Sequence, residues 1–433
     1  MKITTILKVS GLCLASAGAA FGAGFSLFEG SAAGIADPTY GATKGGEPAA
    51  MFANPAAISG LKGTQLQLGI SVVAPGSAVK GTNPYTGQSF KEKGKSTTFP
   101  IPHAYITHKL NDEFTFGLGL NTRFGLGSDF DEKWLGRYNS YQSSILSFNA
   151  TPVLAWKAND WLSVAAGVSI QYFDITLKQK IDAANRTNNP NNPTFLDVDQ
   201  ELSADSIGYG ANIGLVVKPV DKVSVGLAYH SRVKQNAEGK AKYDRPAPVG
   251  AALAAAGQGF LFTDTKVKGT LTLPDTVVSA VTYDVCDRLT LGVGVTFQTW
   301  STYDELKIKF DKPVIGRYEA VTEKNWNDVF RYSFGGTYKA TDALTLRGSY
   351  TFDQSPCNSD HIDYILPSGD RHIFAVGAGY AVGSWVVDGM YYYQVVADDT
   401  VTKNPADMAS GLLPSKYVDG NAHCFALSVT YKF

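Results

Sequence analysis

The sequence has few charged residues, few methionines and, beyond its N-terminus, no long apolar run. Charged residues make up 18% of the 433 positions, below the roughly 25% that is usual for soluble domains. The 38 Lys and Arg almost balance the 39 Asp and Glu, so nothing in the composition indicates a nucleic-acid partner. After the first 22 residues, no stretch approaches the roughly 18 uninterrupted apolar residues of a membrane-spanning helix. This absence excludes helical membrane proteins.

Cysteine is also scarce, whereas glycine and aromatic residues are abundant. Cys286, Cys357 and Cys424 are widely spaced and form no CxxC pattern, so we expect neither a disulfide framework nor a zinc site. The chain has 44 Gly, 23 Phe, 22 Tyr and 6 Trp against 4 Met. This balance favours strands over helical bundles. No motif for a metal or a cofactor is present.

Residues 1–22 have the parts of a secretory signal peptide. Lys2 and Lys8 precede a short apolar stretch, and small residues lie at Ala20 and Gly22. We therefore expect cleavage before Ala23 and export from the cytoplasm. An uncleaved anchor is the alternative, but the stretch after Lys8 is too short for a span of roughly 20 residues.

Large apolar residues alternate with small or polar ones in many segments, such as residues 162–172, 223–230 and 289–297. This period of two indicates strands with one apolar face. Six short polar breaks alternate strictly with seven long ones, at about residues 74–98, 124–143, 182–205, 236–265, 301–326, 353–370 and 396–420. Fourteen strands result. Counts of twelve and sixteen stay open, because each break is uncertain by a few residues.

The sorting of breaks into short and long favours a bacterial outer-membrane barrel over a β-sandwich. Such barrels have an even number of antiparallel strands, short periplasmic turns and long extracellular loops. The chain also ends on an alternating strand with Tyr431 and Phe433 on one face, a pattern typical of proteins inserted by the outer-membrane assembly machinery. We predict an all-β, 14-stranded antiparallel transmembrane barrel over residues 63–433. Residues 23–62 lack the alternation, and we expect them to fill the lumen.

Short motifs recur along the chain in a characteristic order: Ala23-Gly24-Phe25, Ser31-Ala32-Ala33-Gly34, Asn54-Pro55-Ala56, Gly119-Leu120-Asn121, Phe124-Gly125-Leu126, Gly136-Arg137-Tyr138, Asn159-Asp160-Trp161-Leu162-Ser163 and Asp370-Arg371-His372. In these motifs the chain resembles the FadL and TodX family of outer-membrane transporters for long-chain fatty acids and other hydrophobic compounds. The resemblance covers nearly the whole mature chain. It implies a 14-stranded barrel plugged by an N-terminal hatch (residues 23–62), with release of cargo sideways through the barrel wall.

The resemblance also implies roles for particular residues. The N-terminal tail with Phe25 would block the ligand pocket, and rearrangement around Asn54, Pro55 and Ala56 would open the route. The exit would lie at a kinked third strand, where Gly117, Gly119 and Gly125 weaken the ladder. Glycines that merely relieve crowding in the wall are the alternative.

An apolar stretch at residues 249–262 falls in a predicted extracellular loop. Leu253, Phe260, Leu261 and Phe262 are expected to form a capture surface for hydrophobic ligand. A loop helix packed on neighbouring loops is the alternative.

A carboxylate cargo needs a cation on its path, because an unpaired charge in an apolar pocket is costly. The candidates are the inward-facing or loop-borne basic residues Arg123, Arg137, Lys157, Arg331, Arg347 and Arg371. Pairing with lumen acids such as Asp388 is the competing role.

No enzyme motif is present, and we expect a passive channel for long-chain fatty acids or similar molecules. An aromatic-hydrocarbon channel of the same family, a general porin and a barrel lipase are the alternatives. The expected partners are the hydrophobic ligand, outer-membrane lipid and the assembly machinery, and we expect a monomer.

Overall fold

The computed structural model describes residues 24–183, 188–366, 369–401 and 410–433. The predicted signal peptide (1–22) and Ala23 lie outside the described residues, as do parts of three predicted long breaks.

The described residues form one antiparallel sheet whose members follow one another around a wall. In wall order the strands are β1 (Thr64–Thr82), β3 (Phe99–Lys109), β4 (Phe114–Asn121) continued by β5 (Gly125–Asp129), β6 (Gln142–Lys157), β7 (Leu162–Asp182), β8 (Asp197–Val220), β9 (Val223–His230) continued by β10 (Val233–Asp244), β11 (Thr265–Leu273) continued by β12 (Thr276–Cys286), β13 (Leu289–Gln298) continued by β14 (Glu305–Val314), β15 (Arg317–Glu323) continued by β16 (Val329–Lys339), β17 (Leu344–Asp353), β18 (Arg371–Val382), β19 (Trp385–Val396) and β21 (Ser415–Lys432). Two short strands, β2 (Ser89–Lys93) and β20 (Asp399–Thr400), pair within extracellular loops.

Pairing of the first strand with the last closes the wall. The β1–β21 ladder runs from Gln65 opposite Lys432 to Gly81 opposite Ser415. The result is a closed antiparallel barrel of fourteen wall strands, which confirms the predicted fold class. Because the barrel is closed, each wall strand pairs with a neighbour on both sides over at least part of its length.

The two faces of the wall differ as the alternation predicts. On β9, Leu227 is 45% exposed, whereas its neighbour Ala228 is 1% exposed. On the last strand, Phe425 is 62% exposed and Cys424 is buried. Large apolar side chains thus face outward, toward the bilayer, and small or polar ones face the bore.

Several wall strands extend further than the sequence pattern predicts. β10 continues to Asp244, although a break was expected from about residue 236, and a hairpin of β14 and β15 occupies most of the predicted break at 301–326. These extensions lie beyond the bilayer, so their outward faces carry charged residues such as Lys307 and Lys309 in place of large apolar ones, while inward residues such as Ala241 and Phe310 are buried. Helix α3 (Ala247–Ala255) lies in one of the long loops.

The N-terminal segment (residues 24–62) is built from four short helical turns, three of which begin with a capping side chain. Helix α1 (Ala32–Ala36) is capped by Ser31, and helix α2 (Pro38–Thr43) is capped by Asp37. Two 3₁₀ turns follow, Pro48–Phe52 and Pro55–Ile58, the second capped by Asn54. The last three of these turns begin with Pro38, Pro48 and Pro55, and the first helical position favours proline. Among the described residues, no helix is long and apolar enough to cross a membrane.

The N-terminal segment packs against inward-facing groups from all around the wall. The Ala32 amide donates to Ser428 on β21 at 3.0 Å, and Thr337 on β16 donates to Asp37 at 2.8 Å. The Ala49 amide donates to Gln67 on β1 at 2.8 Å. Bonds to strands on different sides of the barrel place this segment across the bore.

Candidate functional site

A cavity lies between the N-terminal segment and the inner wall. It comprises about 1330 Å³ of space free of protein atoms, part of which is open to solvent. Its lining is mostly apolar with dispersed polar groups and includes Phe28, Phe52, Arg123, Phe124, Gln298 and Ile373. Both the segment and the wall contribute, so a shift of the segment changes the shape of the cavity.

Phe25 fills a box of aromatic rings beside this cavity. Its ring centroid lies 4.7 Å from that of Trp300, 6.0 Å from Trp326 and 6.1 Å from Phe124, and Tyr303 closes the box at 6.2 Å. Phe25 is 1% exposed. Sequence reasoning missed the two tryptophans, because they come from loops and carry no strand pattern. Removal of Phe25 would open an apolar, aromatic site next to the cavity.

The tail around Phe25 pairs with the third wall strand at its interruption. This strand stops at Asn121 and resumes at Gly125. The Leu27 amide donates to the Arg123 carbonyl at 2.8 Å, and the Gly125 amide donates to the Phe25 carbonyl at 2.9 Å. Gly125 thus follows the interruption directly, whereas Gly117 and Gly119 lie within the regular ladder of β4. The interruption at residues 122–124 lies three to five residues beyond Gly119 and five to seven beyond Gly117.

The wall has a gap between β3 and β5. The ladder of β3 with β4 ends at Ala104 opposite Leu120, while β3 continues to pair with β1 as far as Phe99. Continued in register, Pro102 would lie opposite Thr122 and Pro100 opposite Phe124. Neither proline has an N–H to donate, and the unbroken ladder on the β1 side places both missing donors on the side of the third wall strand. Pro100 and Pro102 were the sequence signal for this gap.

Four wall glycines make room for the N-terminal segment. A Cβ atom at Gly226 would lie 2.1 Å from the Ala42 carbonyl oxygen, and one at Gly335 would lie 2.1 Å from the Asp37 carboxylate. Gly214 and Gly292 are equally close to Asn54 and Thr39, at 2.3 and 2.2 Å. Any larger side chain at these four positions would push into the segment.

Asn54 joins the two halves of the N-terminal segment to the wall. Its amide group donates to the Ala42 carbonyl at 2.8 Å and to the Leu215 carbonyl on β8 at 3.0 Å, and its oxygen accepts from the Ala56 amide. Asn54 is fully buried. Pro55 and Ala56 form the 3₁₀ turn that this contact anchors. The motif is therefore a fixed contact of the segment in this structure.

Two carboxyl groups of the N-terminal segment are buried without a basic partner in contact. Asp37 accepts from Thr39 and Thr337, and Glu47 accepts from Ser31 and Gln67. Burial raises the pKa of both groups above the usual range of an exposed carboxyl, and these hydrogen bonds oppose part of the shift. The segment thus holds to the wall through polar contacts rather than ion pairs at these points.

Arg123 stands apart from the other predicted cations because it lines the cavity and has no acidic partner among the described residues. Its guanidinium lies 4.4 Å from the ring centroid of Phe52 and donates to the Phe52 carbonyl. The Nε atom is buried without a hydrogen-bond partner. An anionic group in the cavity would find an unneutralised cation here.

The other strand-borne arginines have carboxylate partners, and two of them share one carboxylate. Arg331 lines the cavity but pairs with Asp353 at 3.0 Å, and Arg371 lies 4.0 Å from the same carboxylate. Arg347 pairs with Asp388 at 2.7 Å. Lys157 pairs with Asp160 at a short turn, far from the cavity lining. These three arginines and Lys157 therefore have the competing role, which is to pair with an acid of the protein.

Arg137 lies in an extracellular loop and is fully engaged. It forms an ion pair with Asp197 at 2.7 Å and donates to Tyr138 and to the carbonyls of Trp134, Pro190 and Asn192. It is 0% exposed. It ties two loops together and does not reach the cavity.

We expect Arg137→Met to loosen these two loops. It leaves the Asp197 charge buried without its partner, which costs about 3–5 kcal/mol in comparable sites. Hydrogen exchange at residues 130–141 and 190–200 should rise, while heat-modifiable gel mobility should still report a folded barrel. Arg232→Met, which breaks an ion pair with an arginine side chain that is 56% exposed, is the control. Equal protection in both variants would contradict the assignment.

The predicted capture loop is packed differently from the expectation of an exposed apolar surface. Leu253, Leu261 and Phe262 are buried with Val198 and Val249 in a small core. Phe260 alone of the four predicted residues is exposed, at 64%. Helix α3 packs on neighbouring loops of the same chain, because its apolar residues find apolar partners there. The alternative of a packed loop helix thus describes the structure.

A second cavity on the extracellular side holds the features expected of a capture groove. It lies between the extensions of β7 and β8 and the β14–β15 hairpin, and it contains about 1150 Å³ of empty space. Leu177, Leu306 and Phe310 supply apolar surface, and the two lysines at its edge, Lys178 and Lys180, are paired with acids. Sequence reasoning placed Leu306 and Phe310 in a break between strands and therefore missed the groove.

The geometry defines a class: an outer-membrane barrel whose bore is crossed by its own N-terminal segment, with a mostly apolar cavity and a gap in the wall. A family model described as "Outer membrane protein transport protein (OMPP1/FadL/TodX)" matches residues 13–433. The chain belongs to this family of transport channels, which confirms the resemblance and the outer-membrane location.

Relatives and solved structures agree with this membership. The chain is 27% identical to the 47 kDa outer membrane protein of Pasteurella multocida, covering 100% of this chain and 99% of that one. It is 24% identical to the long-chain fatty acid transport protein of Escherichia coli K12, covering 84% and 85%. Its fold is similar to a Pseudomonas aeruginosa FadL homologue (TM-score 0.85, 24% identity, 95% and 100% covered) and to the Pseudomonas putida toluene transporter TodX (TM-score 0.66, 17% identity, 89% and 94% covered).

Proposed function

We propose that this protein is a passive uptake channel for long-chain fatty acids. The observation that carries the proposal is Arg123, a cation without an acidic partner in the wall of a mostly apolar cavity. A long acyl chain would fill the apolar space, and its carboxylate would bond the guanidinium. Desolvation of both charges is compensated when they pair, which a neutral cargo cannot achieve.

The path begins at the extracellular groove and ends at the wall gap. The groove combines apolar residues such as Leu306 and Phe310 with polar ones such as Gln179 and Gln200, which suits capture of an amphiphile. From the cavity, the gap opposite Pro100 and Pro102 leads sideways to the bilayer. A hydrophobic molecule released there enters lipid directly and avoids the aqueous periplasm, which makes lateral release favourable.

The N-terminal segment acts in this proposal as a hatch. It crosses the bore, and its tail holds Phe25 in the aromatic box and covers the interrupted third strand. Ligand that enters the box displaces the tail, and the freed segment shifts about its Asn54 contact. Gating thus needs movement of the segment, not of the wall.

An aromatic-hydrocarbon channel is the second candidate, and the aromatic box favours it. Trp300, Trp326 and Tyr303 would stack well on a small ring. Toluene transporters also share the fold. This cargo, however, leaves Arg123 without a counter-charge.

We expect Arg123→Met to weaken oleate binding by about 30-fold, because a charge-assisted hydrogen bond contributes about 1.5–3 kcal/mol. Purified protein in detergent is titrated with labelled oleate, oleyl alcohol and toluene. Wild type should bind oleate saturably, and the variant should lose oleate affinity while binding oleyl alcohol as before.

Lys157→Met, at an exposed turn, is the matched control and should bind oleate like wild type. Equal loss of oleate and oleyl alcohol would mean that Arg123 only shapes the cavity. Saturable toluene binding without oleate binding would favour the second candidate. Sugar permeation through liposomes without saturable binding would favour a porin.

A further inference from the structure

An outward-facing lysine patch (Lys80, Lys91, Lys93 and Lys416) lies where the barrel closes. In the ladders that join β2, β1 and β21, Lys80 is directly opposite Lys91 on one side and directly opposite Lys416 on the other. Lys93 lies two residues from Lys91, opposite Ala78, and so shares the same face. All four side chains are exposed. Residues directly opposite each other share a face of the sheet, so three lysines form one row across three strands.

This arrangement is unfavourable without a counter-charge. Adjacent strands are about 4.8 Å apart, so the row places three ammonium groups within about 10 Å. Like charges directly opposite in a sheet are destabilising. Asp419 meets Lys91 at 2.6 Å and is the acid that the described structure places against the patch. Four lysines against one carboxylate leave a net charge of +3.

Several lysines elsewhere on the extracellular extensions pair with acids. Lys268 pairs with Glu238 at 2.8 Å, Lys307 pairs with Glu319 at 3.3 Å, and Lys242 lies 3.9 Å from Glu201. Two other lysine pairs are also directly opposite each other, Lys240 with Lys266 and Lys268 with Lys309, and the second pair shares its row with Glu238 and Glu319. Among the described ladders, the seam between the first and last wall strands is where three lysines lie directly opposite one another in one row.

The height of the patch indicates what neutralises it. On β21, the outward residues Phe425 and His423 lie against Tyr391 in an aromatic girdle, where the bilayer surface is expected. Lys416 is seven residues beyond His423. At 3.3 Å per residue and a tilt of about 40°, it lies roughly 18 Å above the girdle, and its side chain reaches back about 6 Å.

A phospholipid headgroup layer is only about 6 Å thick on each side of a bilayer. The patch therefore lies above phospholipid phosphates but within reach of a glycolipid whose saccharide core carries phosphates. The outer leaflet of outer membranes is built from such lipids, the lipopolysaccharides. We propose that the lysine patch is a binding site for the phosphorylated saccharide core of lipopolysaccharide.

Bound core phosphates would bridge the three strands through Lys91, Lys80 and Lys416. Each phosphate offers several acceptor oxygens, and each ammonium offers three donors, so one group spans two lysines. The bridge lies over the β1–β21 ladder, which is the seam of the barrel. Binding should therefore depend on salt and should strengthen the seam.

The test compares a patch variant with a matched control. The patch variant carries Lys80→Gln, Lys91→Gln and Lys416→Gln, and the control carries Lys242→Gln, Lys268→Gln and Lys307→Gln. Folded protein in detergent is titrated with fluorescently labelled rough lipopolysaccharide, with the same lipid after dephosphorylation of its core, and with phosphatidylglycerol. Heat-modifiable gel mobility verifies folding of each variant.

Wild type should bind the phosphorylated lipid at least tenfold more tightly than the patch variant does, whereas the control should stay within twofold of wild type. Dephosphorylated lipid should bind wild type as weakly as the patch variant binds the intact lipid. Equal binding by wild type and the patch variant would overturn the proposal, as would an equal loss in the control. Preference for phosphatidylglycerol, or full competition by millimolar inorganic phosphate, would also overturn it, because either shows recognition of a simple anion.

Discussion

Replacing Gly226 with valine is expected to dislodge the N-terminal segment and open the bore. The Cβ atom would lie 2.1 Å from the Ala42 carbonyl oxygen, and a backbone atom cannot move aside as the end of a side chain can. With helix α2 displaced, the contacts of Asn54 to Ala42 and of Thr337 to Asp37 are lost as well. We expect conductance in planar bilayers to rise on the order of tenfold, because a barrel of this size without a plug holds a water channel.

The matched control is Gly389→Val. Gly389 is also a wall glycine, but no atom lies near the position of its missing Cβ. This variant should conduct like wild type. Hydrogen exchange should rise at residues 38–58 in the Gly226 variant alone, while both barrels keep their heat-modifiable mobility. Wild-type conductance in the Gly226 variant would show that the segment does not seal the bore.

Phe25→Ala is expected to tighten oleate binding by about one to two orders of magnitude. If the tail competes with ligand for the aromatic box, any change that weakens the tail raises the fraction of protein ready to bind. Truncation of a buried phenylalanine destabilises its packed state by about 3–5 kcal/mol, so the tail is held less tightly. Water or ligand that fills the emptied box offsets part of this loss. The measurement is an oleate titration in detergent.

Phe260→Ala removes an exposed loop phenylalanine and serves as the control for Phe25→Ala, with expected wild-type affinity. Deletion of Gly24 and Phe25 together should match the Phe25 variant. Weaker binding in the Phe25 variant would show that the ring belongs to the ligand site itself. Unchanged affinity in both tail variants would contradict gating by the tail.

The wall was predictable because the bilayer imposes a simple rule on each strand. On β9, Leu227 and Tyr229 face lipid while Ala228 and His230 face the bore, and this alternation is legible in the sequence. The strand count follows from the same rule. Extensions such as that of β10 were not predictable, because beyond the bilayer the outward residues are charged, as Lys240 and Lys242 are, and the large apolar face that marks a membrane strand is lost.

The site was less predictable because its chemistry depends on register between strands distant in the chain. Arg331 is opposite Asp353 in the β16–β17 ladder, and Asp353 is opposite Arg371 in the next. Those pairings give two of the predicted cations a shared acidic partner, and Arg123 is the candidate that has none among the described residues. The aromatic box likewise combines Phe25 with Trp300, which is brought there by folding alone.

The two prolines in β3 make the opening in the wall a matter of covalent structure. A strand without proline could form backbone hydrogen bonds whenever its neighbour approached, but Pro100 and Pro102 lack an amide N–H in any conformation. The barrel wall therefore has this opening permanently, and no hydrogen bonds between β3 and the third wall strand have to be broken there. In the proposed mechanism, passage of cargo through this opening depends on the short N-terminal peptide that covers it from inside, and moving such a peptide breaks fewer hydrogen bonds than separating two paired strands.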